Sequence, residues 1–125
     1  MRIKNNQAIL NAPFGSILLT FADGDLIKCE LSEAAVEEDL GSFVGHKAVK
    51  ALQSYLKGDI HVLDSWKPSE DGTEFRRRVW KEIAKVRAGD TVTYGQIADS
   101  LDSSPRAVGS ACGDNPLPIF VGCHR

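Results

Sequence analysis

The stretch "YGQIADSLDSSPRAVGSAC", residues 94–112, carries the most fold information in the chain. It reads as two short helices, 94–101 and 105–112, joined by the polar turn Asp102-Ser103-Ser104. Ile97, Ala98, Leu101, Val108 and Ala111 fall where the two helices can pack against each other. Ser104 is placed to cap the second helix with its hydroxyl, and Pro105, which has no N–H to lose, suits the first helical position. This is the spacing of a helix-turn-helix, shared by DNA readers and by helical hairpins that never meet nucleic acid. Arg106, at the start of the second helix, adds weight to the DNA reading.

Working upstream, "TEFRRRVWKEIAKVRAG" (73–89) is amphipathic, with Phe75, Val79, Trp80, Ile83 and Val86 at helical spacing and Thr73 as its cap. The triple arginine 76–78 is read as a solvated helix face in preference to a phosphate contact. The preceding "DSWKPSEDGT" (64–73) is polar and holds a proline and a glycine, which makes it the candidate linker. Domains are accordingly expected over 1–70 and 71–125.

The first half reads as sheet followed by helix. "AILNAPFGSILLTFADGDLIKCEL" (8–31) contains apolar runs broken by "APFG" and "ADGD", turn chemistry that joins antiparallel strands into a three-stranded meander. "FVGHKAVKALQSYLKG" (43–58) then places Phe43, Val44, Ala48, Ala51, Leu52 and Leu56 roughly on one helical face, with Gly58 ending the helix. His46 and His61 have no acidic, cysteine or histidine neighbour at a ligand spacing, so both are read as structural. The expected class is α+β.

Composition sets the outer limits. The 125 residues are 42% hydrophobic and 26% charged, as expected of a globular chain, with no run apolar enough to span a bilayer or act as a secretory signal. A cytoplasmic protein is expected. Cys29, Cys112 and Cys123 are odd in number and contain no CxxC pair, so they are read as thiols and neither a disulfide framework nor a metal site is expected. The net charge of −2 divides unevenly. Residues 1–74 hold 7 Lys/Arg against 12 Asp/Glu, and residues 75–125 hold 8 against 5. Only the second half is mildly suited to a polyanion.

The chain reaches its last residues through "NPLPIFVGCHR" (115–125), read as a short apolar strand that delivers Cys123 beside His124. Neighbouring side chains on a strand face opposite ways, so a Cys–His pairing needs a turn at Gly122 or a bridging water. A nearby imidazole lowers a thiol's pKa and makes it nucleophilic. From these residues alone a catalytic and a structural Cys123 both stay open.

From about Phe75 to Arg125 the sequence resembles the O6-alkylguanine-DNA alkyltransferases. The resemblance rests on the ordered set "VTYGQIA" (92–98), "SPRAVG" (104–109), "NPLPI" (115–119) and "CHR" (123–125). It implies a small ribonuclease-H-like amino-terminal domain and a helix-turn-helix catalytic domain. It also implies stoichiometric repair, in which Cys123 takes the alkyl group from guanine O6 in duplex DNA, with O4-alkylthymine a second candidate lesion. His124 would help deprotonate the thiol through a water. Arg106 would enter the base stack as the nucleotide flips, Tyr94 would crowd the phosphate, and Ser104, Ala107 and Gly109 would lie on the DNA-reading helix. Asn115 would be the hinge between that helix and the active-site segment. No cofactor is implied, and a monomer is expected. Gly122 departs from the family's proline, and the family pattern continues past Cys-His-Arg, so an incomplete carboxyl end is expected at Arg125. The alternatives are a lesion-binding module without repair activity, an inactive truncated fragment, and an unrelated cysteine hydrolase.

Overall fold

Residues 4–64 and 66–122 are described by a computed structural model. Three strands, β1 (Gln7–Ala12), β2 (Gly15–Ala22) and β3 (Asp25–Ser32), form an antiparallel meander in the order β1-β2-β3. The β2–β3 connection is a two-residue loop in which Asp23 and Gly24 both take positive φ, 52° and 82°. That is what an Asp-Gly hairpin turn requires, because two left-handed residues match the twist of the flanking strands. One sheet face buries Ala8, Leu10, Ile17, Leu19, Phe21 and Cys29.

A 3₁₀ turn (Gly41–Phe43) and helix α1 (Lys47–Leu56) complete this part of the chain. The helix starts later than the apolar spacing suggested, because His46 is its cap. The His46 ring Nδ1 accepts the Ala48 N–H at 3.0 Å, while Nε2 donates to the Gly24 carbonyl at 2.7 Å. The buried face is Ala48, Val49 and Leu52; Val44, counted on that face from spacing, is 64% exposed. Phe43, half-buried, stacks on core Phe21 with ring centroids 4.0 Å apart.

Helices α2 (Glu74–Ala84), α3 (Tyr94–Leu101) and α4 (Pro105–Gly113) make up the rest. Their starts follow local chemistry. Thr73 accepts the Arg76 N–H, Thr93 and Gln96 form a reciprocal capping box, and Ser104 accepts the Ala107 N–H ahead of Pro105. Val79, Trp80 and Ile83 of α2, Ile97 and Ala98 of α3, and Val108, Ala111 and Cys112 of α4 are buried. Each large apolar side chain among them contributes roughly 1.5–3 kcal/mol by leaving water.

The chain parts into two compact units, Met1–Asp59 and Ile60–Arg125. The sequence placed the break at 70/71, in the polar stretch. Residues 60–64 and Trp66 go with the second unit for a physical reason. Leu63 is buried, Trp66 meets Phe120 with ring centroids 4.9 Å apart, and Asp64 accepts from the Ala88 N–H at 3.0 Å. His61, read as lacking an acidic neighbour, is 2.7 Å from Asp64 and keeps the structural role expected of it. Hydrogen bonding from Ala88, followed by His61 and Arg87, holds the Asp64 carboxyl below its ordinary value against the opposing effect of burial. No helix among the described residues is long and apolar enough to cross a membrane.

Candidate functional site

The site is built on α4. Its N-terminus presents Arg106, which is exposed and makes no ion pair among the described residues. The three positions beside it are already engaged in local structure: Ser104 caps, Ala107 donates to that cap, and Val108 is buried. One turn on, Gly109 faces Tyr94. A Cβ at position 109 would lie 3.2 Å from Tyr94 Cε2, so the absence of a side chain lets the ring rest against α4 while 46% of the residue stays exposed. Tyr94 and Arg106 thus belong to adjoining helices of one surface.

The other end of α4 is held by α2. Trp80 is buried, and its indole Nε1–H donates to the Ala111 carbonyl at 2.8 Å. Arg76 pairs with Asp114, the α4 C-cap, at 2.8 Å. The arginine run read as a solvated face is therefore mixed. Arg76 ties two helices together, Arg77 has its Nε buried without a hydrogen-bond partner among the described residues, and Arg78 is exposed. The aligned acid was out of sight in sequence because Asp114 lies a whole helical hairpin away.

Beyond α4 the chain does not form the expected strand. Pro116 and Pro118 lack the N–H groups a ladder needs, and the segment folds on itself. Ile119 takes φ +74°, unusual for a β-branched residue, and the Val121 N–H donates to the Leu117 carbonyl at 2.9 Å. Asn115 closes the turn from the inside. Its Nδ2 donates to the Val121 carbonyl at 2.7 Å and its Oδ1 accepts the Leu117 N–H at 3.1 Å. Leu117, Phe120 and Val121 are buried at 1–2% exposure, so both bonded backbone groups are largely screened from water. One side chain therefore fixes the end of α4 to the residue two positions before Cys123. Cys123 and His124, the candidate catalytic pair, lie outside the described residues.

Two other thiols are described, Cys29 and Cys112, and both are buried. Burial, followed by the neighbouring Glu30 charge, pushes the Cys29 thiol up to about 12, so it is a poor nucleophile at neutral pH. Among the described residues no group of three His, Cys, Asp or Glu side chains could hold a metal ion.

Comparison with known proteins decides the family. Residues 74–125 match the model of the 6-O-methylguanine DNA methyltransferase DNA-binding domain. The methylated-DNA–protein-cysteine methyltransferase of Metallosphaera sedula is 38% identical over 116 residues, covering 91% of this chain and 73% of the relative. This chain belongs to the methylated-DNA–protein-cysteine methyltransferase family. A family member from Methanosarcina acetivorans is 34% identical over 129 residues, covering 94% of this chain and 80% of its own. A crystal structure of Mycobacterium tuberculosis O6-methylguanine methyltransferase superposes with TM-score 0.74 at 32% identity, covering 96% of this chain and 76% of that one. Another, of Mycobacterium tuberculosis OGT in complex with DNA, gives 0.70 at 31% identity, covering 94% and 74%. The α+β arrangement of antiparallel sheet and helices is that of these methyltransferase structures.

Sequence reasoning singled out Arg106, Tyr94, Ser104, Ala107, Gly109 and Asn115: Tyr94 sits on α3, Arg106, Ala107 and Gly109 on α4, Ser104 at the α4 N-cap, and Asn115 on the segment leaving α4. It missed the supports. Arg76, Trp80 and the reversed backbone at Ile119 each act through a partner distant in sequence or through a dihedral angle, and no local pattern marks them. The two prolines of "NPLPI" were the available sign that 115–122 would turn.

Proposed function

We propose that this methyltransferase repairs O6-alkylguanine in duplex DNA by moving the alkyl group onto its own Cys123, once per molecule. The observation that carries the reading is the Asn115 clasp, which joins the helix bearing Arg106 to the segment entering Cys123. In this family member, DNA engagement and the thiol are thereby coupled through one side chain. Guanine O6 lies within the base stack, so the nucleotide must leave the duplex to react, at a cost of a few kcal/mol. Arg106, long and exposed at the start of α4, is suited to fill the vacated stack from the minor groove, and the Tyr94 ring to press on the adjoining phosphate. Ser104, Ala107 and Gly109 keep that end of α4 small enough for close approach.

In the chemical step the Cys123 thiolate attacks the alkyl carbon. A carbon–sulfur bond forms, the carbon–O6 bond breaks, and its electron pair returns to the guanine. The thiol proton passes through His124 and a water toward the base, which regains its neutral form. A thioether is not hydrolysed, so each chain acts once, as a single acting unit, without a cofactor. Its substrate places it with DNA, and its proposed location is the cytoplasm.

The test is intact-mass and peptide mapping after incubation with O6-benzylguanine. One benzyl adduct per chain on Cys123, absent from Cys123→Ser and absent from buried Cys29, supports the reading. Unmodified protein that retains binding to alkylated duplex would point to a lesion-binding module, and turnover without an adduct to a hydrolase. Either outcome rejects self-alkylation.

A further inference from the structure

Ile119 is held in a backbone conformation that its own side chain resists. Its φ of +74° lies in the left-handed region, where Cβ crowds the following carbonyl and a β-branched residue is a clear outlier. Gly and Asp fill every other positive-φ position among the described residues: Asp23, Asp102 and five glycines. Those residues tolerate the region, through a missing Cβ or a short polar side chain that bonds locally. Ile119 has neither advantage.

Nothing local selects this angle. Pro118 fixes only its own φ, and where a tight turn needs positive φ after proline the usual residue is Gly or Asn. Tertiary contacts impose it instead. The Val121 N–H donates to the Leu117 carbonyl at 2.9 Å, and the Asn115 side chain bonds the Leu117 N–H and the Val121 carbonyl from inside the turn. Phe120 is buried with its ring centroid 4.9 Å from that of Trp66, and Leu117 and Val121 are buried too. These anchors lie on both sides of Ile119, so residue 119 supplies the reversal whatever its side chain. Glycine would supply it without strain, but would leave both dihedral angles a broad range. A branched side chain allows only a narrow well there.

A strained residue persists where its surroundings over-determine it, and such residues gather where position matters to function. Ile119 lies within the turn that Asn115 clasps, four residues before Cys123. We infer that Ile119 is a positioning residue for alkyl transfer: its narrow left-handed well, gripped between Leu117 and Val121, fixes the direction in which the chain runs on to Cys123. The reversed residue costs stability, and the segment gains a fixed aim. This inference rests on the repair reading, in which the Cys123 thiolate has to meet the alkyl carbon in line. It adds that backbone restriction at residue 119 aims the segment, beyond the hydrogen bonds of the clasp.

Ile119→Gly and Ile119→Ala, made in the full chain, separate position from stability. Both remove the branched side chain, and they differ chiefly in the freedom of residue 119. Strain predicts that Ile119→Gly melts about 2–4 °C above Ile119→Ala, the reverse of the order at an ordinary position, where glycine is the less stable. Positioning predicts the opposite order in the chemistry. Well below both melting temperatures, the maximal rate of Cys123 labelling by O6-benzylguanine should be about tenfold lower in Ile119→Gly than in Ile119→Ala, with half-saturating concentrations within about threefold of each other. A residue that only supports the fold would move melting temperature and labelling rate together. Thermal melts by circular dichroism and labelling followed by intact mass give the two orders. Ile119→Ala melting above Ile119→Gly, or Ile119→Gly failing to fold where Ile119→Ala folds, overturns the inference by removing the strain. Labelling of Ile119→Gly as fast as that of Ile119→Ala overturns it by removing the positioning, and a wild-type adduct on Cys123 in the same experiment leaves the repair reading standing. A wild type that forms no adduct removes both.

Discussion

Replacing Asn115 with alanine removes the donor to the Val121 carbonyl at 2.7 Å and the acceptor for the Leu117 N–H at 3.1 Å. Leu117 and Val121 are 2% and 1% exposed, so water replaces these bonds poorly. A stranded buried backbone group costs about 1–3 kcal/mol, and two of them, partly relieved by relaxation, come to about 3 kcal/mol. At about 3–4 °C per kcal/mol for a chain of this length, the melting temperature should fall by roughly 10 °C. Asn115→Asp separates geometry from size. It keeps an oxygen for the Leu117 N–H but turns a second oxygen toward the Val121 carbonyl, so near neutral pH it should destabilise at least as much as alanine. Well below both melting temperatures, where nearly all protein is folded, benzylguanine labelling of Cys123 should also slow by about tenfold or more, because a misplacement of about 1 Å at a reacting atom can cost a hundredfold. The assays are thermal melts by circular dichroism and labelling followed by mass. An Asn115→Ala protein that melts within about 1 °C of the wild type and labels at an unchanged rate would refute the clasp as the element that positions the active-site segment.

Trp80→Phe should lower stability by about 1–3 kcal/mol in denaturant unfolding, since it keeps a large ring but leaves the buried Ala111 carbonyl without its donor; an unchanged midpoint would show that water replaces it. Arg106→Ala should weaken repair of alkylated duplex about tenfold or more while labelling by free benzylguanine changes little, and equal loss in both assays would make Arg106 structural. Asp64→Asn tests the lowered carboxyl directly. Because the folded value lies below the unfolded value near 4, the ionised group adds stability that is complete above about pH 4 and is lost as pH falls through the folded value. The gap in melting temperature between wild type and Asp64→Asn should therefore be full near pH 7 and shrink below about pH 4; a gap independent of pH would mean that the carboxyl's charge is not what Ala88, His61 and Arg87 hold.

What the residues determine without tertiary help is whatever is settled within about one helical turn. The Asp23-Gly24 turn follows from the tolerance of these residues for positive φ, and the caps at Thr73 and Ser104 from a hydroxyl beside unpaired N–H groups. The meander, the α2–α4 helices and the family motifs were all legible for that reason. His46 was legible only as structural, because its cap bond to Ala48 is local while its bond to the Gly24 carbonyl crosses to another element. The remaining features depend on which surfaces meet. Trp66 packs with Phe120 and moves the break between the units ahead of the polar stretch. Arg76 finds Asp114 at the far end of α4, and Gly109 leaves room for Tyr94. In residues 115–122 an apolar run that reads as a strand becomes a turn, because two prolines remove ladder donors and Asn115 satisfies the backbone from within. Periodicity records which side of an element is apolar, and only the packed chain decides what that side touches.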